Sequence, residues 1–220
     1  MRLRPPGYYE LRIVFGLPSI LAALLFPAYT LFRLLLWKLD LLAPSYDELL
    51  RAFEVVLPLG TSLAAAHLMV VEREERVFQL RLTYPEPRWR LPLVRASGAL
   101  LVGACSGLLG ALILRWGYGP YEPALVTLAA VAPTIFLVGV SLFAGNVSGN
   151  YWVPAGGVIG YWFLNILAKG HFTGPLFLFQ RTWPSGSPDA YVGNQLLLAG
   201  TGLALLCGNT WLYMSRQYGK

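Results

Sequence analysis

The stretch PALVTLAAVAPTIFLVGVSLFAGNVSGNYWVPAGGVIGYWFLNILA, Pro123–Ala168, runs for 46 residues without an Asp, Glu, Lys or Arg. A hydrocarbon core about 30 Å thick is crossed by roughly 20 apolar helical residues, so the block is long enough to cross twice. Its middle, AGNVSGN at Ala144–Asn150, is small, polar and turn-forming. A break there gives two spans, about 123–144 and 151–168, and that division sets the count for the whole chain.

Four more charge-free blocks lie outside it: Ile13–Phe32, Val55–Val71, Ala96–Leu114 and Ala190–Ser215. Each is close to one bilayer crossing. The sum is six spans in a 220-residue chain that is 56% hydrophobic and 13% charged; soluble domains carry roughly a quarter charged residues. The sequence predicts an all-α integral membrane protein forming one transmembrane domain over residues 1–220. The first span is not a cleaved leader: it is too long for an h-region, and FRLLLWKLD follows it instead of a small-residue cleavage site.

Six crossings put both termini on one side. That side collects 11 of the 17 Lys and Arg residues, and the other side collects six. An excess of Lys and Arg marks the cytoplasmic side, so both termini are expected there, in a cell membrane and most simply a bacterial plasma membrane. The net charge of +6 lies wholly on that side. The basic balance therefore reports membrane orientation. It is no sign of a nucleic-acid partner, since no separate soluble basic domain exists.

Between the spans the sequence reads more softly. Met1–Leu11, with Arg and Tyr together, suits the headgroup region, and an interfacial helix from about Gly7 is expected. Leu34–Leu50 is too charged to span and is expected on the outer surface, with Ser45 and Glu48 spaced as a capping box. Lys169–Asp189 carries an apolar, aromatic core at Phe172–Phe179, too short to cross. It either dips into the outer leaflet or packs over the helices as a collapsed loop.

Pro18, Pro27, Pro58, Pro133 and Pro154 fall within spans, where neighbouring groups can satisfy the carbonyls they free. Gly103, Gly107 and Ala111 repeat every four residues on one helical face. Such a face allows close helix approach, within the chain on the first reading and in a dimer on the second. Cys105 and Cys207 belong to no metal or redox pattern and are expected to be small buried packing residues.

Familiar membrane chemistry is missing. There is no H-E-x-x-H; His67 and His171 fall near opposite faces; no Gly-x-Ser-Gly occurs, Ala104–Gly107 (ACSG) coming nearest. No phosphate loop occurs either, so any ATP is bound by another chain. His67, Asn165, Asn194, Gln195 and Asn209 are the polar residues within spans. His67 reads as a helix–helix hydrogen bonder near a membrane face. No Asp or Glu is expected deep in a span, which argues against an ion-coupled carrier.

The charge is concentrated between spans two and three, in EREERVFQLRLTYPEPR at Glu72–Arg88. Three Glu stand within four positions, and Arg73, Arg76 and Arg81 follow or alternate with them. Glu72 and Arg76 form an i,i+4 pair in the favourable order, and acids ahead of bases match the helix dipole. A short cytoplasmic helix over 72–83 is predicted, stopped by Pro85 and Pro87. A solvated positive loop accounts for the Arg residues. It does not account for the Glu cluster, Phe78 and the double-proline stop, which suit a docking element for a soluble partner.

This segment resembles the coupling helix of type-2 ABC exporter permeases: an acidic start, a short helix, a Thr-x-Pro stop and a basic lead into span three. It departs from them where Arg76-Val77-Phe78 replace the family's usual Gly-Thr. Six spans, internal termini and a semi-apolar loop between spans five and six are similar too. The resemblance implies a permease subunit paired with a second one, identical or homologous, each docking a cytoplasmic ABC ATPase that holds ATP and Mg. This chain would then need no cofactor of its own and would not itself be an enzyme. It implies docking through Glu72, Arg73, Glu74, Glu75, Arg76, Phe78, Gln79 and Leu82. The cargo expected is a peptide, a lipid or an amphipathic small molecule. Two other classes stay open on the residues: an intramembrane enzyme with an unfamiliar site, and a non-transporting scaffold or immunity subunit.

Overall fold

The computed structural model describes residues 13, 16–41, 45, 51–71, 87, 89–119, 123–184 and 188–218. Among them the chain is helical, with no strand. The first rod consists of α1 (Leu17–Ala23) and α2 (Leu25–Lys38), separated at Leu24. Pro27 has no N–H for the Ala23 carbonyl; Ser106, on another helix, donates its hydroxyl to that oxygen at 2.6 Å instead.

The second rod opens with a π-helical turn, Ala52–Val56, and continues as α3, Leu57–Leu68. Pro58 likewise offers no N–H to the Glu54 carbonyl, and the turn ahead of it takes the wider i→i+5 form. Four helices follow: α4 (Arg90–Tyr118), α5 (Pro123–Ser148), α6 (Trp152–Ala168) and α7 (Pro188–Tyr218).

Side-chain register gives the direction of each rod. Gly110 lies against Phe26 and Gly117 against Leu34, so α4 runs parallel to α2. Gly103 meets Thr61 and Gly107 meets Leu57, so α3 runs the other way. Ser141 donates to the Ser62 carbonyl at 2.8 Å and Gly145 meets Met69 and Val70, setting α5 parallel to α3. Tyr151 stacks on His67 and Trp162 bonds Val55, so α6 is antiparallel to α3. Gly139 meets Gly202 and Asn146 meets Asn209, so α7 is parallel to α5. The six rods alternate in direction.

Four of them, Leu17–Lys38, Arg90–Gly117, Leu128–Ser148 and Ala190–Ser215, are long and apolar enough to cross a membrane. The other two, Ala52–Leu68 and Trp152–Ala168, are shorter apolar helices, each about 25 Å long at 1.5 Å per residue. Leucines cover the outside: Leu21, Leu31, Leu35, Leu108, Leu112 and Leu196 are all exposed. So continuous an apolar surface is unfavourable in water and suits lipid. Trp89, Trp152 and Trp211 are exposed at one end of the bundle, and Trp116 and Phe172 at the other, the two levels at which aromatic side chains settle in a bilayer.

Several expectations shift. The first rod continues past Phe32 to Lys38, so Leu34–Lys38 extends the helix and does not lie apart on a surface. α5 runs through to Ser148, and the break shrinks to Gly149–Tyr151. Asn146 is drawn into a buried interhelical bond, which keeps its turn helical, while Asn150 accepts the Trp152 N–H at 2.9 Å and starts α6. Cys105 and Cys207 are exposed on the outer surface and not buried; a thiol is a small, weakly polar group and meets lipid at little cost. The expected interfacial helix from Gly7 and the Glu48 of the capping box lie outside the described residues.

Candidate functional site

Glu72, Arg73, Glu74, Glu75, Arg76, Phe78, Gln79 and Leu82 all lie outside the described residues. Their flanks do not. Val71, after α3, and Leu91, in the first turn of α4, share one buried apolar cluster with Met69 and Tyr213. Val71 and Leu91, which flank that segment in sequence, therefore lie on the end that also carries the Gly149–Tyr151 turn and the last turns of α7. The two flanks are held together by the core.

Gly103 and Gly107 turn inward. A methyl group on Gly103 would come 2.5 Å from Thr61 Cγ2, and one on Gly107 would come 3.1 Å from Leu57 Cδ2. Ala111 packs against the cluster of Phe26, Phe53, Leu57 and Leu114. This face of α4 is occupied by α2 and α3 of the same chain.

The polar residues gather at the opposite end, around Lys169–Pro184. This strap has no regular secondary structure beyond the 3₁₀ turn Gly174–Leu176. It leaves α6 through Lys169 and Gly170, with φ of 46° and 87°. Then Phe177, Leu178 and Phe179 bury themselves among Phe136, Leu137, Val158 and Leu198. The sequence left open a dip into the outer leaflet or a collapsed loop packed over the helices; the middle of the segment packs on helix side chains and is inserted among them.

A buried strap without a ladder leaves backbone groups that need partners. Side chains supply them. Asn165 on α6 accepts the Leu178 N–H and the Thr173 hydroxyl, each at 3.1 Å. Tyr161, one turn earlier, donates to the Leu176 carbonyl at 2.8 Å. Asn194 on α7 donates to the carbonyls of Pro175 and Phe177 at 2.7 and 3.0 Å.

The fourth grip is a carboxylate. Glu54 is fully buried in the π turn. One of its oxygens accepts the Arg181 N–H at 2.9 Å, and the other accepts the Thr182 N–H at 2.6 Å. Beside it, Trp162 Nε1 donates to the Val55 carbonyl at 2.7 Å, tying α6 to the same turn. Trp162, Phe179 and Trp183 stack edge to face around the site, and the Arg181 guanidinium lies 5.7 Å from the Tyr191 ring centre. The site holds a backbone in place; among the described residues, no three His, Cys, Asp or Glu side chains come together as metal ligands would.

Of the five polar residues singled out from the sequence, the structure brings Asn165 and Asn194 together on the strap. Asn209 pairs with Asn146 toward the other end. His67 sits against Tyr151 there. Gln195 follows Asn194 on α7, half-buried. Glu54 and Trp162 were missed. Glu54 borders a charge-free block, where a carboxylate reads as the solvated edge of a span; the signal was its setting in Ala52-Phe53-Glu54-Val55-Val56, apolar on both sides, four residues before a proline.

Compared with protein-family models, characterised proteins and solved structures, the chain matches none.

Proposed function

We propose that this chain is the membrane-spanning subunit of a type-2 ABC exporter. Its six rods would all cross the membrane, the two shorter ones included, with both termini and the Glu72–Thr83 segment in the cytoplasm. The observation that carries the reading is the motif EREERVFQLRLTYPEPR, whose flanks Val71 and Leu91 share one buried cluster. A segment so tethered passes a push on it directly to α3 and α4.

In this reading Glu72, Glu74 and Glu75 pair with basic groups on a cytoplasmic ATPase, and Phe78 anchors in an apolar notch. ATP and Mg are the ATPase's, and a second permease subunit completes the passage. Closure of two ATPases on ATP supplies the differential binding, about 5.5 kcal/mol for a shift from 1:99 to 99:1. An apolar or amphipathic cargo, such as a lipid, a peptide or a small molecule, fits a subunit with this little polar surface. A bacterial plasma membrane is the proposed setting.

The test is co-purification. The tagged chain is drawn from native membranes in mild detergent and assayed for ATP hydrolysis and for a companion protein labelled by azido-ATP. The wild type is expected to carry both, and the Glu75→Arg, Phe78→Ala double variant to lose both. A preparation without an ATPase, or one whose ATPase is retained by the double variant, ends the exporter reading.

A further inference from the structure

We propose that Glu54 is a latch: its carboxylate holds the Lys169–Pro184 strap shut over its end of the bundle, and the strap swings on Lys169 and Gly170 when those bonds are given up.

Among the described residues Tyr161, Asn165, Asn194 and Glu54 hydrogen-bond the strap, and they differ in origin. Tyr161 and Asn165 belong to α6, the helix from which the strap leaves, and Asn194 belongs to α7, the helix to which it leads. These three move with the strap's own neighbours. Glu54 alone of the four comes from a helix that the strap does not join. Its bonds to the Arg181 and Thr182 amides bridge 127 and 128 residues of sequence. Any displacement of α3 relative to α6 and α7 must break or strain them.

The geometry suits a joint that opens. Glu54 sits in a π turn, a wider and less regular backbone than the α-helix that follows, and such turns recur at functional positions. The strap begins at two successive residues of positive φ, where a small change in backbone angles redirects the chain. Its far part, Arg181–Trp183, is only partly buried, whereas Phe177–Phe179 are buried. The latch thus fastens a partly buried stretch just beyond the buried middle of the strap. Beneath lie Ala132, Phe136, Val158 and Leu198, so an open strap uncovers an apolar surface. A carboxylate that accepts two amide N–H groups is strong while both are aligned, and it loses both together when the helix turns.

The latch stands without the exporter reading. Under that reading, α3 joins the proposed docking segment at one end and the latch at the other, so a push on the first reaches the second along one helix.

The experiment measures access to the strap. Leu178→Cys, which is fully buried, is placed in a Cys105→Ala, Cys207→Ala background, and its alkylation by a water-soluble maleimide is timed in open membrane sheets. Leu142→Cys, buried in the cluster at the other end, is the control. Alkylation of Leu178→Cys is expected to be slow with Glu54 present. With Glu54→Gln it should rise about tenfold or more, the shift expected from losing a charged hydrogen bond to a buried amide, while Leu142→Cys does not change. Glu54→Asp keeps the charge on a shorter stem and should fall between. Equal rates for Glu54 and Glu54→Gln overturn the latch; so does a parallel rise at Leu142→Cys, which makes Glu54 a support of the whole bundle. The co-purification assay reads the exporter proposal separately, so either can fail alone.

Discussion

Asn146 on α5 donates its amide to Asn209 on α7 twice, to the side-chain oxygen at 2.9 Å and to the backbone carbonyl at 3.1 Å. Both residues are buried. The pair fixes the register of the two helices, and the same parallel register brings Gly139 against Gly202 about two turns away, where the backbones approach closely. In lipid there is no hydrophobic force between helices, so close packing and polar pairs of this kind must hold them together.

A double-mutant cycle over Asn146→Ala and Asn209→Ala is therefore expected to show a coupling of about 1 kcal/mol, between the average of roughly 0.6 and the maximum of roughly 1.7 kcal/mol found for interhelical hydrogen bonds in membranes. Reversible unfolding in mixed micelles reads it. Additive single effects would mean that the bond is made equally well with other groups in the unfolded helices.

The glycines divide by what stands opposite them. A methyl group on Gly202 would come 2.7 Å from the backbone of Ile135 and Phe136, and one on Gly139 would come 2.6 Å from the Gly202 carbonyl. Neither neighbour is a side chain that can swing away. Gly202→Ala is expected to push α5 and α7 apart at about 1–3 kcal/mol, the usual cost of overpacking. Gly156→Ala and Gly160→Ala, with nothing within 4 Å, should be neutral or slightly stabilising through helix propensity. Thermal unfolding of the three variants side by side checks the contrast; a tolerant Gly202 would contradict the crossing.

Ser106 and Pro27 form a matched pair. The proline frees the Ala23 carbonyl, and the hydroxyl takes it up at 2.6 Å. Ser106→Ala alone should cost about 1–3 kcal/mol, the penalty for an unsatisfied buried group. In a Pro27→Ala background residue 27 regains its N–H, the carbonyl bonds within its own helix, and the same Ser106→Ala change should cost clearly less. Equal costs in the two backgrounds, measured by unfolding, would show that the hydroxyl does not answer the proline.

Much of the architecture was legible from residue type alone. The charge-free blocks marked where apolar helices run, because a charge in lipid is expensive and some 20 residues without one match the length of a bilayer crossing. The turn near Asn150 was legible because Gly and Asn cluster there. Its length was not: nothing in AGNVSGN tells Asn146 from Asn150, and only the neighbouring Asn209 makes the first a helix residue. Gly103 and Gly107 announced a close approach but not to what, since a glycine shows that space is needed and says nothing of who fills it.

Glu54 shows the limit most sharply. A carboxylate at the border of an apolar block looks the same in sequence whether it meets water or two amides of a segment more than a hundred residues away. The order of residues carries one-dimensional information: where the chain is apolar enough for lipid, where it turns, and where its charges cluster, as at Glu72–Arg88. Which polar groups are buried together is settled only when the rods pack. Backbone amides and carbonyls have no sequence signature, and the strap's need for Glu54, Asn165 and Asn194 exists only once Phe177–Phe179 have been folded in among the helices.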